Sequence, residues 1–474
     1  MFVLIIIALF LFLLWVIGYT VIRPFLKKRI APRLSQNPLK GNPDTLDFGS
    51  GFNFGVSTAA WQIEKDLQPS NWTMFEKMQK PNGTACCPPH GNACEAIERF
   101  DGDLEIMKSM YLKRYRFGVS WSALHPDPDR FDADYIKKYI EICRKLRSAG
   151  IEPMITLMHF EHPSWLEERG GILSSEFVSQ FAKFTRFVVE ALKDECKWWF
   201  TINEPSVMSQ NGYYRGVFPP GHKNTKEYYK AVAQHMASHA AAYHIIHEII
   251  PDAKVSFAEN VNPFYPMHEW SIIESAVASY HNNFNTSVLD SLLTGKVEFT
   301  FMGFVLFSET IEGLKDSWDF IAINHYFCNW ASIDPRDWDR GCPEPLISMK
   351  LKTYNSNDFG WSIAPDSMAI VLRWVNDNWN PNKLEMIVSE HGIADASDEK
   401  RRWFMVDTLA NLKEARDKYN VPLTTYLHWS LLDNYEWAMG YSMKFGLVKV
   451  DFENQNRTPR ESAKVLGTLA EKSK

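Results

Sequence analysis

The first 22 residues of this chain carry no charged side chain, and its 474 residues include only seven cysteines and no excess of positive charge. Each shortage excludes something. Seven cysteines, odd in number and without regular spacing, do not form the disulfide framework of a small secreted domain. A formal net charge of −6 and a pI near 6.2 leave no basic stripe for a phosphate backbone, so nucleic acid is not an expected partner. No internal repeat and no low-complexity tract interrupts the sequence.

The uncharged N-terminal run reads FVLIIIALFLFLLWVIGYTVI. At 1.5 Å per residue it is long enough to cross a hydrocarbon core of about 30 Å, so residues 1–22 read as a transmembrane anchor and the chain as a single-pass membrane protein. A cleaved signal peptide would want a basic start, a shorter apolar stretch and a small-residue cleavage site, and none is clear. Arg23, Lys27, Lys28, Arg29 and Arg33 follow the run while no charge precedes it, an asymmetry that places the body of the protein in the cytoplasm. Four sequons, at Asn71, Asn82, Asn285 and Asn456, argue for the lumenal side instead. The basic cluster also suits anionic headgroups. Residues 23–48, rich in Pro, Lys and Arg with no sustained apolar period, read as a linker, and the folded domain is expected over 49–474.

Beyond the linker, short β-rich runs alternate with longer amphipathic stretches. The runs are FNFGVST, RYRFGVS, EPMITLM, WWFTIN, KVSFAE, FIAIN, EMIVSE and TTYLHWS, and helical patterns cover 134–149, 175–192, 228–250 and 400–418. Eight strands alternating with helices predict an α/β fold, a single (β/α)8 TIM barrel. Residues 330–359 show no period and read as a long loop on the barrel's C-terminal face.

Polar residues stand where these strands end: Gln62, Arg116, His159, Asn203 with Glu204, Asn324 with Tyr326, Glu390 and Trp429. Strand ends converge on one mouth in such a barrel. Glycoside hydrolysis needs two carboxyl groups about the scissile bond, and Glu204 and Glu390 are the candidate pair. Apolar surroundings and the partner's negative charge would raise Glu204 toward use as an acid, and Arg116 would hold Glu390 ionised. A single Glu at a strand end is more often a salt bridge or a rim charge. Two, each inside its own motif, make the functional reading the stronger one.

The sequence resembles the glycoside hydrolase family 1 β-glycosidases. The resemblance rests on FGVSTAAWQIE at 54–64, RFGVSWS at 116–122, WFTINEP at 199–205, INHY at 323–326, IVSEHGIAD at 387–395 and HWSLLDNYEWAMGYSMKFGLVKVD at 428–451. GIAD and the last stretch are most similar to the archaeal branch, and the layout resembles membrane-anchored plant members that remodel galactolipids. The resemblance implies a retaining β-glycosidase with Glu204 as acid/base and Glu390 as nucleophile, the carboxyl groups about 5–5.5 Å apart. It implies that Arg116, Asn324 and Tyr326 support the nucleophile. Gln62, His159, Asn203, Tyr326, Trp429, Glu436 and Trp437 would bind the sugar, Asn203 at its 2-hydroxyl. A carboxylate at Glu436 suits the C4 and C6 hydroxyls of glucose or galactose and disfavours a 6-phosphate.

Four positions depart from the family pattern: Phe160 stands for Trp, His325 for Tyr, Ser389 for Thr and His391 for Asn. An imidazole at 391, cationic when protonated, would act on the nucleophile's pKa. No cofactor and no metal is expected; His235 and His239, and the cluster Cys86, Cys87, His90 and Cys94, read as structural. The expected partner is a small-molecule or lipid-linked β-glycoside. Two other functions stay open: a membrane-anchored transglycosylase moving a glycosyl unit onto a lipid acceptor, and an inactive binding module, which would normally lack one of the two carboxylates. The sequence does not specify an oligomeric state.

Overall fold

The computed structural model describes residues 29–473 except 36, 302, 338–345 and 350–354. The anchor expected over 1–22 lies outside the described residues, among which no helix is long and apolar enough to cross a membrane.

Eight parallel strands close a barrel: β1 (Asn53–Ser57), β2 (Arg114–Gly118), β3 (Glu152–Met158), β4 (Trp198–Asn203), β5 (Lys254–Asn260), β6 (Ile321–Asn324), β7 (Met386–His391) and β8 (Leu423–Trp429). Each strand pairs with its neighbours in sequence, and β1 pairs with β8. A helix follows each strand: α1 (Phe100–Ser109), α2 (Tyr135–Ser148), α3 (Phe177–Leu192), α4 (Thr225–Ile249), α5 (Ile272–Thr294), α6 (Ser367–Trp379), α7 (Glu399–Tyr419) and α8 (Glu461–Lys472).

The strands are nearly wholly buried because the barrel core covers one face and the helices the other. Met154, Phe200, Ala258, Phe320, Ala322, Ile387 and Leu427 form a separate apolar cluster drawn from β3 through β8. The helices supply the second interface by their spacing. In α3, Phe177, Phe181, Phe184 and Val188 recur at three- and four-residue steps and are buried, each worth about 1.5–3 kcal/mol against exposure.

Two irregularities position the site. The β4–β5 register shifts between Phe200 and Asn203, and the β7–β6 register between Val388 and Glu390. Such shifts turn side chains away from strict alternation, and here they directly precede the two candidate carboxylates. Gly392, just past β7, lies close against the end of β8. A Cβ there would lie 2.1 Å from the Trp429 carbonyl oxygen, so Gly392→Ala would force the strand that carries Glu390 to move.

The stretch from residue 29 to 48, expected as a linker, lies against the domain. Ala31, Leu46 and Phe48 are buried, the Leu39 and Gly41 amides donate to Asn411 and Asp407 on α7, and Lys472 donates to the carbonyls of Pro43 and Asp44. The region expected as a long loop contains short strands: Asn329–Ala331 pairs with Phe264–Pro266 and with Ile347–Ser348. A further hairpin, Lys296–Phe301 with Phe304–Thr310, follows α5. Of the four sequons, Asn71 and Asn285 are buried, their side-chain amides donating inside the domain; Asn82 and Asn456 are exposed.

Candidate active site

The strand ends surround a cavity of about 410 Å³ whose wall includes His159, Asn203, Glu204, Tyr326, Glu390, Trp429, Glu436 and Trp437. That size falls in the range of small-molecule sites. Arg116 and Asn324 stand behind this wall. Gln62 does too, fully buried, donating to Asn434, to the Tyr435 carbonyl and to Glu436.

Glu390 accepts from Arg116 Nη1 at 2.6 Å on one oxygen and from the Tyr326 hydroxyl at 2.7 Å on the other. Arg116 is fixed in turn. Its Nε donates to Thr156, its Nη2 to Asn203 Oδ1 at 2.7 Å, and its guanidinium lies over the Phe200 ring. Burial raises the Glu390 pKa above its ordinary value, opposed by the Arg116 charge and by side-chain hydrogen bonds from Tyr326, Arg116 and Asn324.

Among the described residues no cation is bonded to Glu204. It sits one residue past β4 with φ +46°, in the left-handed region, and one oxygen accepts from Asn324 Nδ2 at 2.7 Å and from Asn260 Nδ2 at 2.8 Å. Burial, and then the charge of Glu390, push its pKa up to about 8. Shared between two such carboxyls, one proton therefore resides on Glu204.

Around this pair the wall is aromatic. The His159 ring stacks between Trp429 and Trp437, each 5.7 Å away, and Asn203 Nδ2 donates to His159 Nε2. Burial and Arg116 hold His159 well below its ordinary pKa, so it is neutral. With Nε2 accepting, its proton is on Nδ1, which has no partner among the described residues and is a donor for a hydroxyl. Glu436, half-buried, is raised to about 8 by burial and then by the charges of Glu390 and Glu204.

His391 is not a cation beside Glu390. It is buried against Phe404, and desolvation, with His325 and His428 nearby, holds it well below its ordinary pKa. Ser389 orients an amide. Its hydroxyl donates to Asn324 Oδ1 at 2.6 Å, leaving the amide nitrogen directed at Glu204. Among the described residues no group of three His, Cys, Asp or Glu could hold a metal ion.

The glycosyl hydrolase family 1 model matches residues 45–474. The chain belongs to glycosyl hydrolase family 1. It is an O-glycosyl hydrolase similar to β-glucosidases. Beta-glucosidase A of Thermotoga maritima is 29% identical over 434 residues, covering 88% of this chain and 96% of the relative. The fold is similar to the β-glycosidase from Pyrococcus horikoshii, with a TM-score of 0.78, 29% identity, and 92% and 96% of the two chains covered. It is equally similar, at 0.78 and 27% identity over 90% and 99% of the two chains, to the T. maritima β-glucosidase in complex with glucoimidazole.

Two residues of this family 1 site carry no motif in the sequence. Asn260, at the end of β5, bonds Glu204, and the signal was its position, the strand-end rule that finds Asn203 and Asn324. Glu259, its neighbour, is fully buried behind Glu204, bonded by the Ser206 hydroxyl and held well above the usual carboxyl range by burial. Nothing in its sequence context separates it from a solvated Glu.

Proposed function

We propose that this family 1 enzyme is a retaining β-glycosidase acting on β-glucosides or β-galactosides, with Glu390 as nucleophile and Glu204 as acid/base. The observation that carries the reading is the asymmetry of the two carboxyls: Glu390 is bonded by a guanidinium and a phenol, Glu204 by amides alone at a pKa of about 8. A Glu390 oxygen attacks the anomeric carbon as the C1–O bond breaks, and Glu204 gives its proton to the departing oxygen. Glu204, now a carboxylate, takes a proton from water, whose oxygen displaces Glu390 from C1 and restores both groups. Asn203, held by Arg116 and His159, is assigned in this reading to the sugar's 2-hydroxyl, a contact that strengthens in the transition state. The T. maritima relative bound to glucoimidazole, and the same enzyme bound to galacto-hydroximolactam, support glucose or galactose as the glycone.

Residues 1–22 are an anchor in this reading, which makes a lipid-linked β-glycoside a natural substrate. The outer cavity supports it: Val217, Phe218, Phe264, Phe284, Phe359 and Trp361 line the wall and suit an apolar aglycone. The same lining favours one second reading, transfer of the glycosyl unit from Glu390 to a lipid hydroxyl. Release of nitrophenol from aryl β-glucosides and β-galactosides, beside Glu204→Gln and Glu390→Gln, tests the class. Proton NMR of the first-formed sugar tests the stereochemistry, and an α-anomer rules double displacement out. Free sugar as the sole product with every lipid acceptor offered rules transfer out.

A further inference from the structure

The hairpin after α5 departs from the pattern of a half-buried sheet. In its first strand alternation holds: Val297 and Phe299 turn inward, and Phe299 stacks on Tyr229 of α4. In its second strand it fails. Phe304, Val305 and Leu306 are consecutive and 75%, 58% and 48% exposed, so apolar side chains leave both faces of the strand. Phe301, paired with Phe304, lies with its ring 5.6 Å from Tyr280 on α5. Ile273 projects in nearly the same direction as Tyr280, seven residues or about 10 Å nearer the start of that helix. Ile273 is 61% exposed and Trp270 beside it 69%. An exposed apolar patch of this kind marks an interaction surface.

Where the chain joins the domain identifies the occupant. Arg29, the first described residue, donates to Thr286 at 2.9 Å and pairs with Asp290 at 3.4 Å, both on α5. The uncharged run precedes Arg29 in the sequence, and Arg29 is held on the helix that carries the patch. Lys27 and Lys28 add positive charge beside that run in the sequence, complementary to anionic headgroups, while Arg29 and Arg33 are each paired with a carboxylate of the domain, Asp290 and Glu269.

We propose that the hairpin tip, with Trp270 and Ile273, inserts into the face of a lipid bilayer as a second attachment beside the N-terminal run. The inference rests on the reading of residues 1–22 as an anchor. Because Phe284 and Asn285 of α5 also line the cavity, this attachment holds the mouth near the lipid surface.

The test uses the full chain with Val305→Cys and Cys342→Ser, labelled with an environment-sensitive fluorophore and reconstituted into phosphatidylcholine/phosphatidylglycerol vesicles. The described cysteines are buried, so the label reports on position 305. A Lys137→Cys chain, exposed on α2, is the reference. The expected result is co-flotation with vesicles, emission at 305 shifted to the blue and rising about twofold, quenching by bromolipids, and water-like emission at 137. Co-flotation with water-like emission at 305 overturns the hairpin proposal and leaves the anchor standing. No co-flotation and no lipid quenching overturns both, whereas lipid quenching at 305 without stable flotation supports the hairpin against the anchor. A blue shift that grows with protein concentration in detergent and ignores bromolipids assigns the patch to a second copy and overturns the proposal.

Discussion

The two sides of the barrel mouth hold the same functional group in opposite surroundings. Around Glu390, β2 and the residues after β6 contribute a cation and a phenol; around Glu204, β5 and β6 contribute two amides, with Glu259, whose carboxyl burial holds well above its ordinary range, behind. Both carboxyls are buried, so burial alone does not separate them. The difference lies in what is bonded to each, and in the proposed mechanism it suits one carboxyl to act as nucleophile and the other as acid.

The largest effects come from removing either carboxyl. Glu390→Gln should abolish the covalent step and lower kcat at least about 10⁴-fold on every substrate. Glu204→Gln should depend on the leaving group. Steady-state rates should fall about 10²–10⁴-fold on alkyl β-glucosides and far less for the first turnover of a dinitrophenyl glucoside, which departs without a proton. Equal losses on both substrates for both variants would erase the distinction between the two sides.

Next in size is Tyr326→Phe, which deletes the phenol donor 2.7 Å from Glu390. We expect kcat to fall about 10²-fold, the scale of one lost donor to a catalytic charge. The sign on pH follows from the donor's preference for the carboxylate: without it the Glu390 pKa rises, and the acidic limb of kcat/KM moves to higher pH. The basic limb belongs to Glu204, which acts protonated, so activity should fall as pH rises through about 8. Asn260→Ala removes a donor that also favours the carboxylate, so that limb should move further up while the acidic limb stays. A loss of about tenfold in kcat would accompany it. If both substitutions moved the same limb, the assignment of the two carboxyls would be wrong.

The sequence reveals this mouth unevenly. The eight barrel strands are legible because strands buried on both faces are short, dense apolar runs; EPMITLM and WWFTIN coincide with β3 and β4. Glu204 and Glu390 are legible because each ends such a run inside a motif. Asn260 obeys the same rule on β5 yet carries no motif to draw attention to it. The second strand of the hairpin, 304–310, is illegible because Phe304, Val305 and Leu306 break the alternation by which a strand is recognised. The register shifts that aim the two carboxyls depend on pairing between distant segments, which no local pattern records.

The smallest effect should come from Ser389, where the two sides meet. Asn324 bonds Glu204 through its amide nitrogen and also reaches Asn203, the residue Arg116 holds on the other side. Its carbonyl oxygen accepts from the Ser389 hydroxyl at 2.6 Å, a bond that fixes which end of the amide faces Glu204. Ser389→Ala leaves the amide free to present its oxygen to Glu204 instead, replacing a donor with an acceptor that favours the protonated acid. A fall of about fivefold in kcat, the worth of one neutral hydrogen bond, is expected, with KM little changed and the basic limb shifted upward. Ser389→Thr keeps the hydroxyl and should restore the limb. A purely structural role would lower folded yield in Ser389→Ala and leave the pH profile where it was.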